Sequence, residues 1–231
     1  MAEHSAFDKL HVDESNKADL GGLLEQFNLP PAFIALVRKH QKAIYIVLGI
    51  VTVLVVTWAL YGAHVEKKLA ESSSALAVAQ KLEGEERLQA LEKVVGEYSG
   101  TGSAIWAKIE IGRYHMEKGE FSTALQHYLA IRSDIDTGNP LYHLVTFGIA
   151  QANEALDKFD EAVAEYETLK TVAGYESIGY TGTARIFEVQ GNLERAINEY
   201  EQYLGTLDGN ISGNPERLYI DAKISALKAQ M

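Results

Sequence analysis

Apolar and polar positions alternate along this chain in two distinct ways. From Ala43 to Ala63 the sequence reads AIYIVLGIVTVLVVTWALYGA without one charge, whereas from about residue 69 onward apolar residues recur with helical period among charged ones. The first pattern predicts a transmembrane helix over 43–63, since a rise of about 1.5 Å per residue carries such a run across a hydrocarbon core roughly 30 Å thick. Tyr45 near one end, and Trp58 with Tyr61 near the other, stand where amphipathic rings favour the headgroup layers. Thr52 and Thr57 can bond back to carbonyls of their own helix. A cleaved signal peptide does not fit, because the run starts late and Tyr61 and Ala63 lack the small-x-small pattern at its end. The segment is expected to stay as an anchor.

Ahead of the anchor, residues 1–31 mix charges with Ser, Asn and Gly, the composition of a mobile tail. After Pro30 and Pro31, the run Ala32, Phe33, Ile34, Ala35, Leu36 and Val37 predicts a short interfacial helix over 32–42. That helix either docks on a membrane partner or lies in the headgroup layer. Arg38, Lys39 and Lys42 crowd the near edge of the span against Lys67 and Lys68 beyond it. The bias predicts a cytoplasmic N terminus and a translocated C-terminal domain.

Three later segments share one pattern. Phe121, Ala124, Leu125 and Tyr128 have the spacing of Phe159, Ala162, Val163 and Tyr166, and again of Leu193, Ala196, Ile197 and Tyr200. The offsets are 38 residues (121 to 159) and 34 residues (159 to 193). Each set forms one face of a helix, with Ala where a neighbour must come closest. A second helix precedes each, and Gly119, Asp157 and Gly191 hold the turn between the two. Seven residues before each turn stands Gly112, Ala150 or Ala184, small at the helix crossing. Upstream, Ala75, Leu76, Ala79 and Leu82, then Leu88, Leu91, Val95 and Tyr98, predict a degenerate helical pair. Downstream, Pro215 opens a final helix whose Leu218, Ala222, Ile224, Leu227 and Lys228 are expected to cap the last apolar face.

Small residue, turn, Ala and aromatic at a period near 34 resemble the tetratricopeptide repeat. The resemblance implies an all-α chain: tail, single transmembrane helix, then a right-handed α-α superhelix closed by a capping helix. Its divisions are a helical linker and degenerate repeat over 64–103, three repeats over 104–206, and a loop with the capping helix over 207–231. Of the usual signature, Trp106 alone stands for the tryptophan and the closing proline is missing.

Charge and chemistry narrow the function. The formal net charge of −11 excludes a nucleic-acid partner, because phosphate binding needs Lys and Arg in excess. Without cysteine there is no disulfide, thiolate metal site or Cys nucleophile. The seven histidines fall into no HExxH or similar pairing, and no nucleophile elbow or phosphate loop is present. No enzyme activity, metal, cofactor or small-molecule substrate is expected.

What remains is protein binding. In repeats of this type the first helices line the concave surface, which predicts a groove of Trp106, Ile109, Arg113 and Met116, then Leu144, Phe147 and Gln151, then Ile178, Thr181, Arg185 and Glu188. Such an apolar row suits extended or unfolded polypeptide. The same side chains can equally pack under the upstream helical pair. As a whole, the layout over 32–230 resembles the YfgM-like ancillary subunits of the bacterial SecYEG translocon. That resemblance implies an inner-membrane protein with a periplasmic domain, whose partners are translocon subunits, chaperones or exported polypeptides. The alternative is a static scaffold tethering an envelope or respiratory complex.

Overall fold

In the computed structural model, residues 31–207 and 215–231 are described. The tail expected over 1–31 lies outside them except for Pro31. All regular structure among the described residues is α-helical. The chain divides into two units, residues 1–65 and 66–231.

In the first unit, α1 is Pro31–Lys39, opened by a proline whose missing N–H has no helical partner to lose. After a turn at His40 begins α2, Gln41–Ala79, whose 39 residues contribute up to Val65 to this unit and the remainder to the second. Thr52 and Thr57 donate to the carbonyls of Leu48 and Val53, both at 2.8 Å, so the apolar stretch carries no unpaired hydroxyl there. Every residue from Tyr45 to Ala63 is exposed.

In the second unit the helices are α3 (Gly84–Glu97), α4 (Gly102–Glu117), α5 (Phe121–Asp134), α6 (Tyr142–Ala155), α7 (Phe159–Leu169), α8 (Glu176–Val189), α9 (Leu193–Thr206) and α10 (Pro215–Lys228). Each packs on the next, and α4 also reaches α6. Local chemistry sets the ends: Thr101 Oγ1 accepts from the Ala104 N–H at 3.2 Å, and Asn192 Oδ1 from that of Arg195 at 3.3 Å. Gly119, Asp157 and Gly191, expected to share one turn, all take positive φ, at 75°, 56° and 73°. Gly holds that conformation without a Cβ clash, and Asp is one of the few other residues to enter it.

The core is a series of clusters along the stack, each too small to be a domain alone. Ala79, Leu91, Val94, Ala107 and Ile111 join the end of α2 to α3 and α4, with Ala75, Leu76, Leu88, Val95 and Tyr98 around them. The last cluster corrects the expected capping face. Ile224 and Leu227 are buried, but their companion is Ile220; Leu218 is 61% exposed, and Ala222 and Lys228 also face outward. Ile220, Ile224 and Leu227 follow the 4-then-3 spacing of one helical face, which Leu218 leaves by half a turn.

Between repeats, tyrosines sit against glycines. A Cβ on Gly112 would stand 2.8 Å from the Tyr128 ring, one on Gly148 at 2.7 Å from the same ring, and one on Gly182 at 2.5 Å from that of Tyr166. Tyr128 is thus gripped by its own repeat and by the next, which explains how a large ring is buried between closely approaching helices.

Candidate protein-binding site

The first helices of the repeats bring side chains together with the tyrosines of the second helices, and the result is a polar ladder. Arg185 on α8 makes a two-pronged contact with Glu154 on α6, Nε to Oε1 at 2.6 Å and Nη2 to Oε2 at 2.7 Å. The Tyr166 hydroxyl, from α7, donates to Glu154 Oε2 at 2.8 Å, and Arg185 Nη2 donates to that same hydroxyl at 3.0 Å. One repeat on, the Tyr200 hydroxyl donates to Glu188 Oε1 at 2.6 Å while Lys223 of α10 reaches Glu188 Oε2 at 3.2 Å. In both rungs the glutamate precedes its tyrosine by 12 residues.

Electrostatics follow from this geometry. Burial raises the Glu154 carboxyl, but hydrogen bonds from Arg185 and Tyr166 outweigh it and hold the group below its ordinary value. Burial and the adjacent glutamates push the Tyr166 and Tyr200 phenols well up. The hydrogen bond to Glu154 raises Arg185 further. A rung is therefore a fixed, internally neutralised unit. Moving back by the repeat offsets, Met116 takes the place of Glu154 and Gln151 that of Arg185. The first repeat carries an uncharged version, where burial, ahead of its charged neighbours, pushes Tyr128 up to about 12.

Of the residues expected to line a groove, Ile109 is core, 6% exposed and packed with Ala124, Tyr128 and Val145. Met116 and Leu144 are half-buried against the same cluster, and Phe147 and Ile178 against the next one. Trp106 is half-buried too, its Nε1 shut away from solvent and without an acceptor. Arg113 and Gln151 are exposed, Arg113 being tied to Glu110 and Glu117 of its own helix. Thr181 donates to the Ser177 carbonyl at 2.6 Å, while Arg185 and Glu188 belong to the rungs. The apolar members lean into the core and the polar members face out, so the row is more polar than its composition suggested. Sequence reasoning missed Glu154, Tyr166, Tyr200 and Lys223 as partners. The recurring Glu-to-Tyr offset was the available signal.

Beyond the last rung, Ser177, Thr181, Arg185, Tyr200, Glu216, Tyr219, Ile220 and Lys223 line a cleft of about 280 Å³ between α8 and α10. Among the described residues no group of three or more His, Cys, Asp or Glu could hold a metal ion. The ladder's side chains are engaged with one another, which suits recognition and stability, not proton transfer.

No curated protein matches the sequence. Two crystal structures of nearly identical TPR-like repeats, from a Podosopora anserina protein described as a kinesin light chain, resemble this chain in fold alone. The first has a TM-score of 0.52 and 17% identity over 72% of this chain and 88% of the other. The second, a variant of it, has a TM-score of 0.50 and 19% identity over 72% and 87%. The model of the tetratricopeptide repeat-like domain matches residues 36–229. With helices paired across positive-φ turns and tyrosines seated on the glycines of the next repeat, the chain belongs to the tetratricopeptide repeat-like domain family, whose repeats are modules for protein–protein interaction.

Proposed function

We propose that this chain is a membrane-anchored protein-binding module, an accessory subunit of the protein-export translocon that engages exported or unfolded proteins and periplasmic chaperones. The observation that carries it is a helix exposed and apolar over 45–63 in the same chain as a repeat domain. An exposed apolar surface of that length is unfavourable in water and at home in lipid. In this reading 43–63 spans the bacterial inner membrane, 1–31 is cytoplasmic, 32–42 lies at the interface, and the repeats over 104–206 form a right-handed periplasmic superhelix. The translocon partner is supported by the likeness of this layout to the YfgM-like subunits.

A scaffold holding one fixed envelope or respiratory partner is the second reading. It is favoured by the ladder, because a face whose charges are neutralised internally and whose apolar side chains lean inward offers little to an indiscriminate client.

The test is photocrosslinking in intact cells from Trp106, Phe147 and Ile178, each replaced in turn by a photoreactive residue. Exported proteins and chaperones together with translocon subunits are the expected catch. One stoichiometric envelope partner would overturn the export role in favour of the scaffold. Alkaline extraction checks the anchor separately: the protein is expected to remain in the membrane pellet, and release into the supernatant would refute the span.

A further inference from the structure

The ladder uses none of the histidines, yet two of them meet. His115 in the last turn of α4 and His127 on α5 stack with ring centroids 5.1 Å apart and planes 10° from parallel. His115 has a carboxylate partner, its Nδ1 lying 2.6 Å from Glu120 Oε2 in the turn that joins the two helices. His127 has no hydrogen bond among the described residues; the charged groups acting on it are His115 from α4 and Glu92 from α3.

Several other ionisable groups on the neighbouring helices have partners of their own. On α3, Glu85 accepts from the Tyr114 hydroxyl, Arg87 pairs with Glu117, and Lys93 with Glu97. On α4, Lys108 pairs with Asp134, Arg113 with Glu110, and Lys118 lies over the Tyr114 ring. On α6, which also packs on α5, His143 meets Tyr142 and Tyr175, and Glu154 is held in the ladder. The carboxylate in direct contact with the pair is therefore Glu120, and it lies on His115 and not on His127.

We propose that the stacked His115–His127 pair is an acid-sensitive latch on the first repeat. A charge on His115 has Glu120 beside it; a charge on His127 as well sets two like charges face to face with no partner bonded to the second ring, and α4 parts from α5 at their turn. The direction agrees with the environment of His127, where burial first and then His115 lower the ring's affinity for a proton, against the opposing pull of Glu92. Because that affinity is lower in the folded state, stability is complete above the ordinary histidine value of 6.5 and declines as pH falls below it through the folded value. The helices that loosen carry Trp106, Arg113 and Met116, so the first repeat's share of the proposed binding face responds with the latch. The latch itself does not depend on that reading.

The full chain in detergent micelles provides the test, through the imidazole proton resonances and amide exchange between pH 7 and 5. His127 is expected to titrate below 6.5 and to respond to the charge of His115. Protection of the α5 amides, corrected for intrinsic exchange, should fall as the pH is lowered through this range, because the folded ring takes up its proton less readily than the unfolded one. His127→Phe keeps a flat ring without a charge, and in it this loss should vanish. Titration of His127 at or above 6.5, or the same loss of protection in His127→Phe, would overturn the latch. If that variant does not fold, the titration of the unaltered protein decides.

Discussion

Gly182 and Gly205 are both helical glycines of the last repeat, and their surroundings assign them opposite fates. A Cβ at Gly182 would stand 2.5 Å from the buried Tyr166 ring, whereas one at Gly205 meets nothing within 4 Å. Tyr166 cannot withdraw easily, being fully buried and bonded to Glu154. Gly182→Ala is therefore expected to destabilise the domain by about 1–3 kcal/mol through overpacking. Gly205→Ala should stabilise it by roughly 0.5–1 kcal/mol, because alanine has less backbone freedom to lose. Denaturant unfolding of the two variants reads both signs, and equal effects would show that the glycine seat is not tight.

Between helices the ladder is one of several polar fastenings. Glu154 ties α6, α7 and α8 through Tyr166 and Arg185; separately, Arg132 of α5 reaches Glu165 of α7 at 2.6 Å, and Lys228 of α10 reaches Glu201 of α9 at 2.9 Å. The second of these pairs is exposed on both sides and contributes little. Glu154 is largely shielded, and Glu154→Gln is expected to cost about 1–3 kcal/mol by removing the acceptor charge beneath two donors. Its pH signature is distinct. The folded carboxyl titrates below the ordinary 4.5, so its stabilisation is present above that value and is lost as pH falls through the folded one. Unfolding midpoints measured from pH 6 to 3 should decline less steeply in Glu154→Gln; an unchanged slope would mean that other carboxylates carry the acid sensitivity.

At the scale of the repeat domain, stability depends on neighbours and on a closed end. Phe187, Tyr200 and Tyr203 are buried partly by Ile220, Ile224 and Leu227 of α10. Losing three such apolar side chains from the interface forfeits about 4.5–9 kcal/mol, at roughly 1.5–3 kcal/mol each. Ending the chain before Pro215 should therefore fray α8 and α9 while the earlier repeats persist, as nearest-neighbour stacking predicts. Limited proteolysis or amide exchange would locate the damage. Undiminished protection of α8 and α9 would show that the last helix is dispensable.

The helices, the repeats and their turns were legible in the sequence because they depend on local facts: an uncharged run over 43–63, apolar periods of 3.6, small residues at fixed places, and Gly119, Asp157 and Gly191 at one turn. The side-chain partners were legible only in outline. A helix inside a stack has a neighbour on each side, so both of its apolar stripes can be core, and periodicity alone does not say which one faces out. Ile109 consequently entered the core, and Ile220 replaced Leu218 on the capping face. Nor does periodicity pair charges across a turn, as Glu154 is paired with Tyr166 and Arg185 or His115 with His127. Local spacing determined which helices form and in what order, because those choices are made within a few turns of backbone. Burial and hydrogen-bond partnership were decided by the tertiary structure, because each depends on which residues the neighbouring helices bring alongside.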